Sequence, residues 1–366
     1  MTSLSDPAYL VEPQARPAPP RLRPRLRDVF FGDLLAASLT VAMLGVILLA
    51  LPPFLNWALI DAAWTVAEGQ DCAQVGACWA FVAAKARLIL FGLYPPSEHW
   101  RPMVVIAFFL LLTLASMPPR AWGRGLALAW TLGIAAILLL MRGGALGLSY
   151  VPTMHWGGLP VTLLLATLSL AFAFPLALAL AVGRQSRLPV ARYLSIGVIE
   201  IIRGTPLLSL LFVASILLPM FLPAGWSPDK LVRALVALTV FSTAYLAEVI
   251  RGGLQDIPPG QVEASRALGV SSIATLRHIV IPQALRKVIP PLTNTLIVMV
   301  KNTSLVFVVG LFDLLSSGRS ALTDPAWPTP FVETYLFIGG LYFVICFSIS
   351  LYARWLEGYL GRARIR

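Results

Sequence analysis

The chain has 366 residues, 58% hydrophobic and only 12% charged, with a formal net charge of +11. Soluble domains carry roughly 45–50% apolar and about 25% charged residues, so an ordinary soluble core is excluded and a membrane solvent is the simplest reading. The basic residues sit in tails and short loops between apolar runs, which argues against a nucleic-acid partner and for membrane topology signals.

Residues 1–28 are Pro- and Arg-rich, with Arg16, Arg21, Arg23, Arg25 and Arg27 before the first apolar run. They read as a disordered basic cytoplasmic tail, and the run that follows is too long for a cleavable signal. A helix needs about 20 apolar residues to cross the hydrocarbon core. Eight stretches meet or approach this, near 34–57, 102–117, 125–141, 159–182, 204–223, 231–250, 288–312 and 333–353. The runs are continuous and do not alternate as barrel strands would. The fold class is therefore all-α, a polytopic transmembrane bundle of about eight spans whose helices satisfy their own backbone in lipid.

Loop charges set the orientation. The loop 58–101 carries Asp61, Glu68, Asp71 and Glu98, whereas the next has Arg120 and Arg124. Only Arg142 marks 142–158, and Arg184, Arg187 and Arg192 follow the next span. The stretch 224–230 is nearly neutral, and 251–287 holds Arg251, Arg266, Arg277, Arg286 and Lys287. Asp313, Asp324 and Arg319 occupy 313–332, and Arg362, Arg364 and Arg366 close the chain. Basic and neutral-to-acidic loops alternate as the positive-inside rule demands, which puts both termini of a multi-pass inner-membrane protein in the cytoplasm.

Of three cysteines, Cys346 lies in an apolar run as an inert packing residue. Cys72 and Cys78 share the long polar loop. In an oxidising periplasm they can form a disulfide; otherwise they are two unpaired thiols. No second Cys or His pair lies nearby, so no metal site is expected. Trp57, Trp100 and Trp156 fall near span ends, where interfacial belts place them. Glu200 and Arg203, three apart, are expected to form a local ion pair. Thr205-Pro206 marks a helix start after Gly204.

The segment 251–287 is less apolar than its neighbours and strongly punctuated. Pro258, Pro259 and Gly260 open it, residues 261–268 read as a short helix, and Gly269 suits a left-handed stop. Ser271 or Ser272 can cap a second helix running to about 281, before Pro282. From Glu263 the text is Glu-Ala-Ser-Arg-Ala-Leu-Gly, and after nine intervening residues come Ile279, Val280, Ile281 and Pro282. This resembles the EAA loop of bacterial ABC importer permeases: EAA, three residues, Gly, nine residues, I-x-L-P. Ser265 stands for the third small residue and Ile281 for Leu. Residues 200–208, 245–253 and 301–305 look like further segments of polar amino-acid permeases, so the resemblance covers roughly 155–360. The N-terminal spans with their long loop look like the M-type subunit of the general L-amino-acid ABC importer.

The resemblance implies a type I ABC importer permease core at 151–366, an addition of three spans at 29–150, and a coupling loop whose matching residues are Glu263, Ala264, Ser265, Gly269, Ile279 and Pro282. Ala264 and Ala267 share a helical face for close packing, and Glu263 is expected at the helix start, where the macrodipole favours it. The implied partners are two copies of an ABC ATPase subunit, a second permease (identical or homologous), a periplasmic amino-acid-binding protein and membrane lipid. ATP and Mg are implied on the ATPase, because this sequence has no GxxxxGK[ST] loop. The chain itself is read as a transporter subunit with no catalytic residues and no cofactor.

Intramembrane polar residues are the candidates for the solute path. Lys301 lies mid-span, and an ionisable group there costs about 2.5–3.5 kcal/mol, so it should face a partner or water. Asn302, Thr303 and Ser304 follow it, and Tyr245 and Glu248 lie on another span. Lys301 can hold a substrate carboxylate, or make a structural pair with Glu248 or with backbone carbonyls. A membrane enzyme is disfavoured by the absence of HExxH, GxSxG or paired-carboxylate motifs, and His99, His155 and His278 lie outside the spans. An ion-coupled secondary amino-acid transporter is the nearer alternative, although no internal repeat supports it.

Overall fold

The computed structural model describes residues 26–65, 72, 76–223, 225, 227–327 and 329–362. Residues 1–25 of the basic tail, Glu68 and Asp71 of the long loop, and Arg364 and Arg366 lie outside these. The chain divides into two compact units, Met1–Ala62 with Val75–Ala77, and Ala63–Gln74 with Cys78–Arg366.

In the first unit, α1 (Leu26–Phe31) is followed by α2 (Leu34–Leu55). Asp33 caps α2, its Oδ1 accepting the Ala36 N–H at 2.6 Å. None of the apolar window of Leu34–Ile60 is buried, which suits a helix meeting lipid all round. Pro52 and Pro53 cannot donate to the ladder, and the helix widens into a π-turn at Asn56–Ile60 just beyond them.

The second unit begins with α3 (Trp79–Phe91), α4 (Trp100–Ser116) and α5 (Arg124–Arg142), followed by the long α6 (Gly158–Arg184). Next come α7 (Pro189–Gly204), α8 (Leu207–Phe212), α9 (Leu218–Phe221) and α10 (Lys230–Gln255). The motif segment folds as α11 (Pro259–Ala267), α12 (Ser272–Thr275) and α13 (Ile281–Lys287). Then α14 (Ile289–Asn302) tightens into a 3₁₀ stretch, Thr303–Val309, and α15 (Leu314–Ala321) and α16 (Phe331–Arg362) complete the unit. Six helices across the described residues are long and apolar enough to cross a membrane. The bent pair α7 and α8–α9 and the 17-residue α4 occupy the other two expected positions.

Two expected stretches differ: the loop expected at 58–101 contains helix α3, and the fifth span is bent. The segment between Arg184 and the fifth span is largely helix α7, and the chain then turns by 102° into α8–α9. Pro206 forces this break: Thr205, just before it, takes an extended conformation and α8 starts afresh at Leu207.

The two most extensively packed helices are α6 and α10. Ala173, Ala177 and Ala181 recur every four residues on α6, are fully buried, and meet Leu246, Ala247 and Ile250 of α10. Small side chains let the backbones approach, which is how helices gain van der Waals contact in lipid. A second core joins Phe109 of α4 and Ile137 and Met141 of α5 to Leu164, Leu211 and Leu238. The spans α4 and α5 therefore share buried surface with α6, α8 and α10. Trp156 belongs to this core: it is 3% exposed and its indole N–H donates to Val151 O, so it is not the interfacial anchor its position near a span end suggested.

Cys72 and Cys78 are joined as a disulfide at the foot of α3. Around it, the Cys78 N–H donates to Glu333 at 2.8 Å, Phe81 meets Trp327 edge-on, and Lys85 pairs with Asp324 at 2.5 Å. The Lys85 ammonium holds the Asp324 carboxyl below the usual range. By the chain-entropy model a loop this short is worth about 2–2.5 kcal/mol when closed. Cys72→Ser is thus expected to lower stability by about 2 kcal/mol while uptake persists. Thermal unfolding with and without reductant checks this: wild type should fall to the variant's midpoint on reduction, and the variant should not move.

Candidate coupling surface and solute path

The motif segment folds into a protruding knuckle. Helix α11 begins at Pro259, whose missing N–H costs nothing at a helix start. It ends in a Schellman turn: Val270 N–H donates to Ser265 O at 3.0 Å, and Gly269 N–H to Arg266 O at 2.9 Å. Gly269 has φ +73°, and nothing among the described residues lies within 4 Å of where its β-carbon would be. Ser271 then caps α12, its Oγ accepting the Ala274 N–H at 3.3 Å.

Ser265, the position that departs from a small apolar residue, is the buried residue of α11, and its hydroxyl meets Thr275 Oγ1 at 2.5 Å. The hydroxyl pins the two helices together where an alanine would only permit approach. Ala264, Ala267 and Glu263 are exposed, as are Leu268 and Ile273 at 82% and 79%. Because α11 starts two residues earlier than expected, Glu263 lies in the second turn, where little of the macrodipole effect remains.

The second helix does not stop before Pro282. A π-turn at Leu276–Val280, with Ile281 N–H donating to Leu276 O, shifts the ladder, and α13 continues with Pro282 in its first turn. Ile279 is half-buried on that π-turn. The ends of the knuckle are strapped together: Lys287 Nζ lies 2.6 Å from Asp256 O and 2.5 Å from its carboxylate, and Gln283 donates to Gln261.

Where α10 approaches this knuckle, five charged side chains converge from three helices. Arg184 of α6 pairs with Glu200 at 2.9 Å and Glu248 at 3.3 Å. Arg203 of α7 lies 3.9 Å from Glu248, and Arg251 is bonded to it through Nε at 3.0 Å and through its terminal nitrogen. The expected Glu200–Arg203 pair is therefore absent, each side chain reaching across to a neighbouring helix instead. Tyr245 sits one turn away, packed on Phe241 with the Arg203 guanidinium 5.9 Å over its ring.

Lys301 is elsewhere. It is exposed, makes no ion pair among the described residues, and lines a cavity of about 290 Å³ with Ser304, Tyr335 and Tyr342. Ser304 lines the cavity and donates to Lys301 O at 2.8 Å, whereas Thr303 is fully buried, donates to Val300 O at 2.7 Å and lies against the Tyr342 hydroxyl. Asn302 reaches Met299 sulfur, at 4.0 Å. Glu248 and Tyr245 belong to the arginine cluster, not to the Lys301 cavity.

Sequence reasoning missed Asp313. It caps α15, accepting from the Leu315 and Ser316 N–H groups at 3.0 Å each, and the Tyr342 hydroxyl lies 3.4 Å away. Burial pushes its carboxyl up, against the pull of the Ser316 hydrogen bonds. The Asp-Leu-Leu-Ser run is a helix-start signal that would have found the cap; no signal pointed to Tyr342.

Residues 173–360 match the family described as binding-protein-dependent transport system inner membrane component. The chain is 42% identical over 339 residues to the inner membrane amino-acid ABC transporter permease protein YhdY of Escherichia coli, covering 91% of each. It is 33% identical to the glutamate/glutamine/aspartate/asparagine transport system permease protein BztC of Rhodobacter capsulatus, covering 92% of this chain and 93% of the other. A crystal structure of an amino acid ABC transporter with histidines aligns at TM-score 0.50 and 33% identity, covering 55% of this chain and 92% of that one. The long relatives thus include the N-terminal spans, whereas the solved structure matches only about the permease core. With the knuckle and its motif in place, these likenesses make the chain a member of the family of inner-membrane components of binding-protein-dependent transport systems, a permease subunit of an ABC importer.

Proposed function

We propose that the chain is the permease subunit of an importer for polar L-amino acids, energised by a separate ATPase and supplied by a periplasmic amino-acid-binding protein. The knuckle carries this reading. It is rigid, capped at both helices and strapped at its base, and it presents Glu263, Leu268 and Ile273 outward, as a surface that transmits force must. Residues 151–366 form the permease core, 29–150 an added brace, and the knuckle and both termini face the cytoplasm. On the opposite face two basic residues are paired with carboxylates, which supports this orientation. Arg101 is buried against Glu98 at 3.0 Å and Ser149, and Lys85 is held by Asp324. The ATPase is present in two copies beside a second permease, identical or homologous. Amino-acid cargo is supported by the relatives, which are amino-acid transporter permeases. The ion-coupled alternative has no observation in its favour.

The test is uptake by vesicles holding the complete transporter. Transport should survive collapse of the membrane potential and stop on ATP depletion; the reverse pattern would sink the reading. Lys301 is the proposed contact for the substrate carboxylate. Lys301→Met should raise KM at least about tenfold, the loss of one charge-assisted hydrogen bond. Lys301→Arg should recover part of it, and an unchanged KM in Lys301→Met would return Lys301 to a structural role.

A further inference from the structure

A groove of about 730 Å³ lies between the α4–α5 turn and the last third of α16. Its floor is a ladder of stacked rings, Tyr352 on Trp355 at 5.7 Å and Trp355 on Tyr359 at 5.6 Å. Its far wall is Met117 and Pro118, tied to α16 by the Tyr352 hydroxyl donating to Met117 O at 2.9 Å. Arg120 stands at the rim, and among the described residues no acidic side chain lines the groove.

The depth of this groove follows from length alone. At about 1.5 Å per residue the 32 residues of α16 span about 48 Å, well beyond the roughly 30 Å hydrocarbon core. A span entering at Phe331 leaves the hydrocarbon near Leu351, so Tyr352, Trp355 and Tyr359 lie at headgroup level, the depth at which aromatic rings anchor. This holds for either orientation of the chain. At that same depth Arg120 and Arg124 are exposed and make no ion pair among the described residues. The apolar trough runs along the membrane normal, and its only formal charge is an unneutralised cation at the headgroup layer.

We infer that this groove holds one anionic phospholipid, its phosphate on Arg120, its headgroup and glycerol beside the Tyr352–Trp355–Tyr359 ladder and its upper acyl chain past Leu351 and Ser348. A planar guanidinium matches a phosphate, and basic pockets between spans select anionic headgroups. The lipid fills the gap between α4–α5 and α16, so it staples α4 and α5 to the end of α16. An ATPase loop or a second permease chain is the other class of occupant. Neither supplies a reason for a lone cation above an apolar trough at headgroup depth.

The experiment uses the complete transporter, purified in mild detergent and mixed with phosphatidylglycerol or phosphatidylcholine of identical chains. Native mass spectrometry reads the lipid retained. Wild type should hold phosphatidylglycerol about five- to tenfold better than phosphatidylcholine. Arg120→Ala should lose the preference, Arg120→Lys keep part of it, and Ser348→Phe, which fills the groove, lose retention of both. Arg354→Ala, an exposed change outside the lining, should behave as wild type. Equal retention of the two lipids, or an Arg120→Ala variant that keeps the preference, overturns the proposal. Should a variant fail to assemble, a photo-crosslinking phenylalanine at position 359 in otherwise native protein decides the matter. A lipid adduct supports the site, and a crosslink to another polypeptide refutes it.

Discussion

Gly269→Val should cut ATP-driven uptake at least about tenfold while the transporter still assembles. At φ +73° a β-branched side chain costs about 1–2 kcal/mol in backbone strain, and the surrounding space is open, so strain is the only penalty. That much is enough to shift the turn about tenfold toward other conformations. The Schellman bonds from Val270 and Gly269 are lost with it, and the angle between α11 and α12 is no longer fixed. In the proposed role the turn works by geometry, so a loosened turn should dissipate force from the ATPase while membrane insertion is untouched. Side-chain chemistry ranks the variants. Asn tolerates the left-handed region and should retain most uptake, Ala less, Val least. The measurement is uptake per assembled complex, with assembly read by co-purification of the ATPase. Uptake at wild-type level in an assembled Gly269→Val transporter would show that the turn carries no force.

The spans were legible because lipid imposes one demand, about 20 continuous apolar residues, and each expected stretch found a helix or helix pair. The knuckle was legible because Pro258, Gly269 and Ser271 punctuate the backbone in a local code that needs no tertiary context. What the sequence hid was pairing between helices. Glu200 and Arg203 suggested a local pair by spacing, yet both reach across to other helices, a choice made by packing. Trp156 looked interfacial by position and is buried because α4, α5 and α6 close over it. Pro282 suggested a stop, but a π-turn upstream rearranged the ladder and the helix ran on. The arginine cluster is the largest such omission: its members are 16 and 64 residues apart along the chain, and only the fold joins them.

Glu248→Gln is expected to weaken the fold more than it weakens substrate recognition. Glu248 is the shared anion of Arg184, Arg203 and Arg251; removing its charge leaves three guanidiniums facing Glu200 alone. Its side chain is 22% exposed, so water relieves part of the repulsion. Charge-assisted bonds are worth about 1.5–3 kcal/mol each, and with that discount the net loss is about 2–3 kcal/mol. The thermal midpoint of the purified transporter should fall by several degrees, and Glu248→Asp should recover part of the loss. The cycle of Glu248→Gln with Arg251→Gln should be non-additive by about 1 kcal/mol or more, since the second change removes a charge the first has stranded. Under conditions where the variant is folded, KM should match wild type. A raised KM at unchanged stability would instead put Glu248 in the solute path. The distinction matters mechanically, because α10 carries this cluster and runs directly into the knuckle. Loosening α6, α7 and α10 from one another removes the stiff support against which the knuckle pushes. Uptake should therefore fall further than the folded fraction does, through the coupling ratio of transport to ATP hydrolysis, whatever the amino acid supplied.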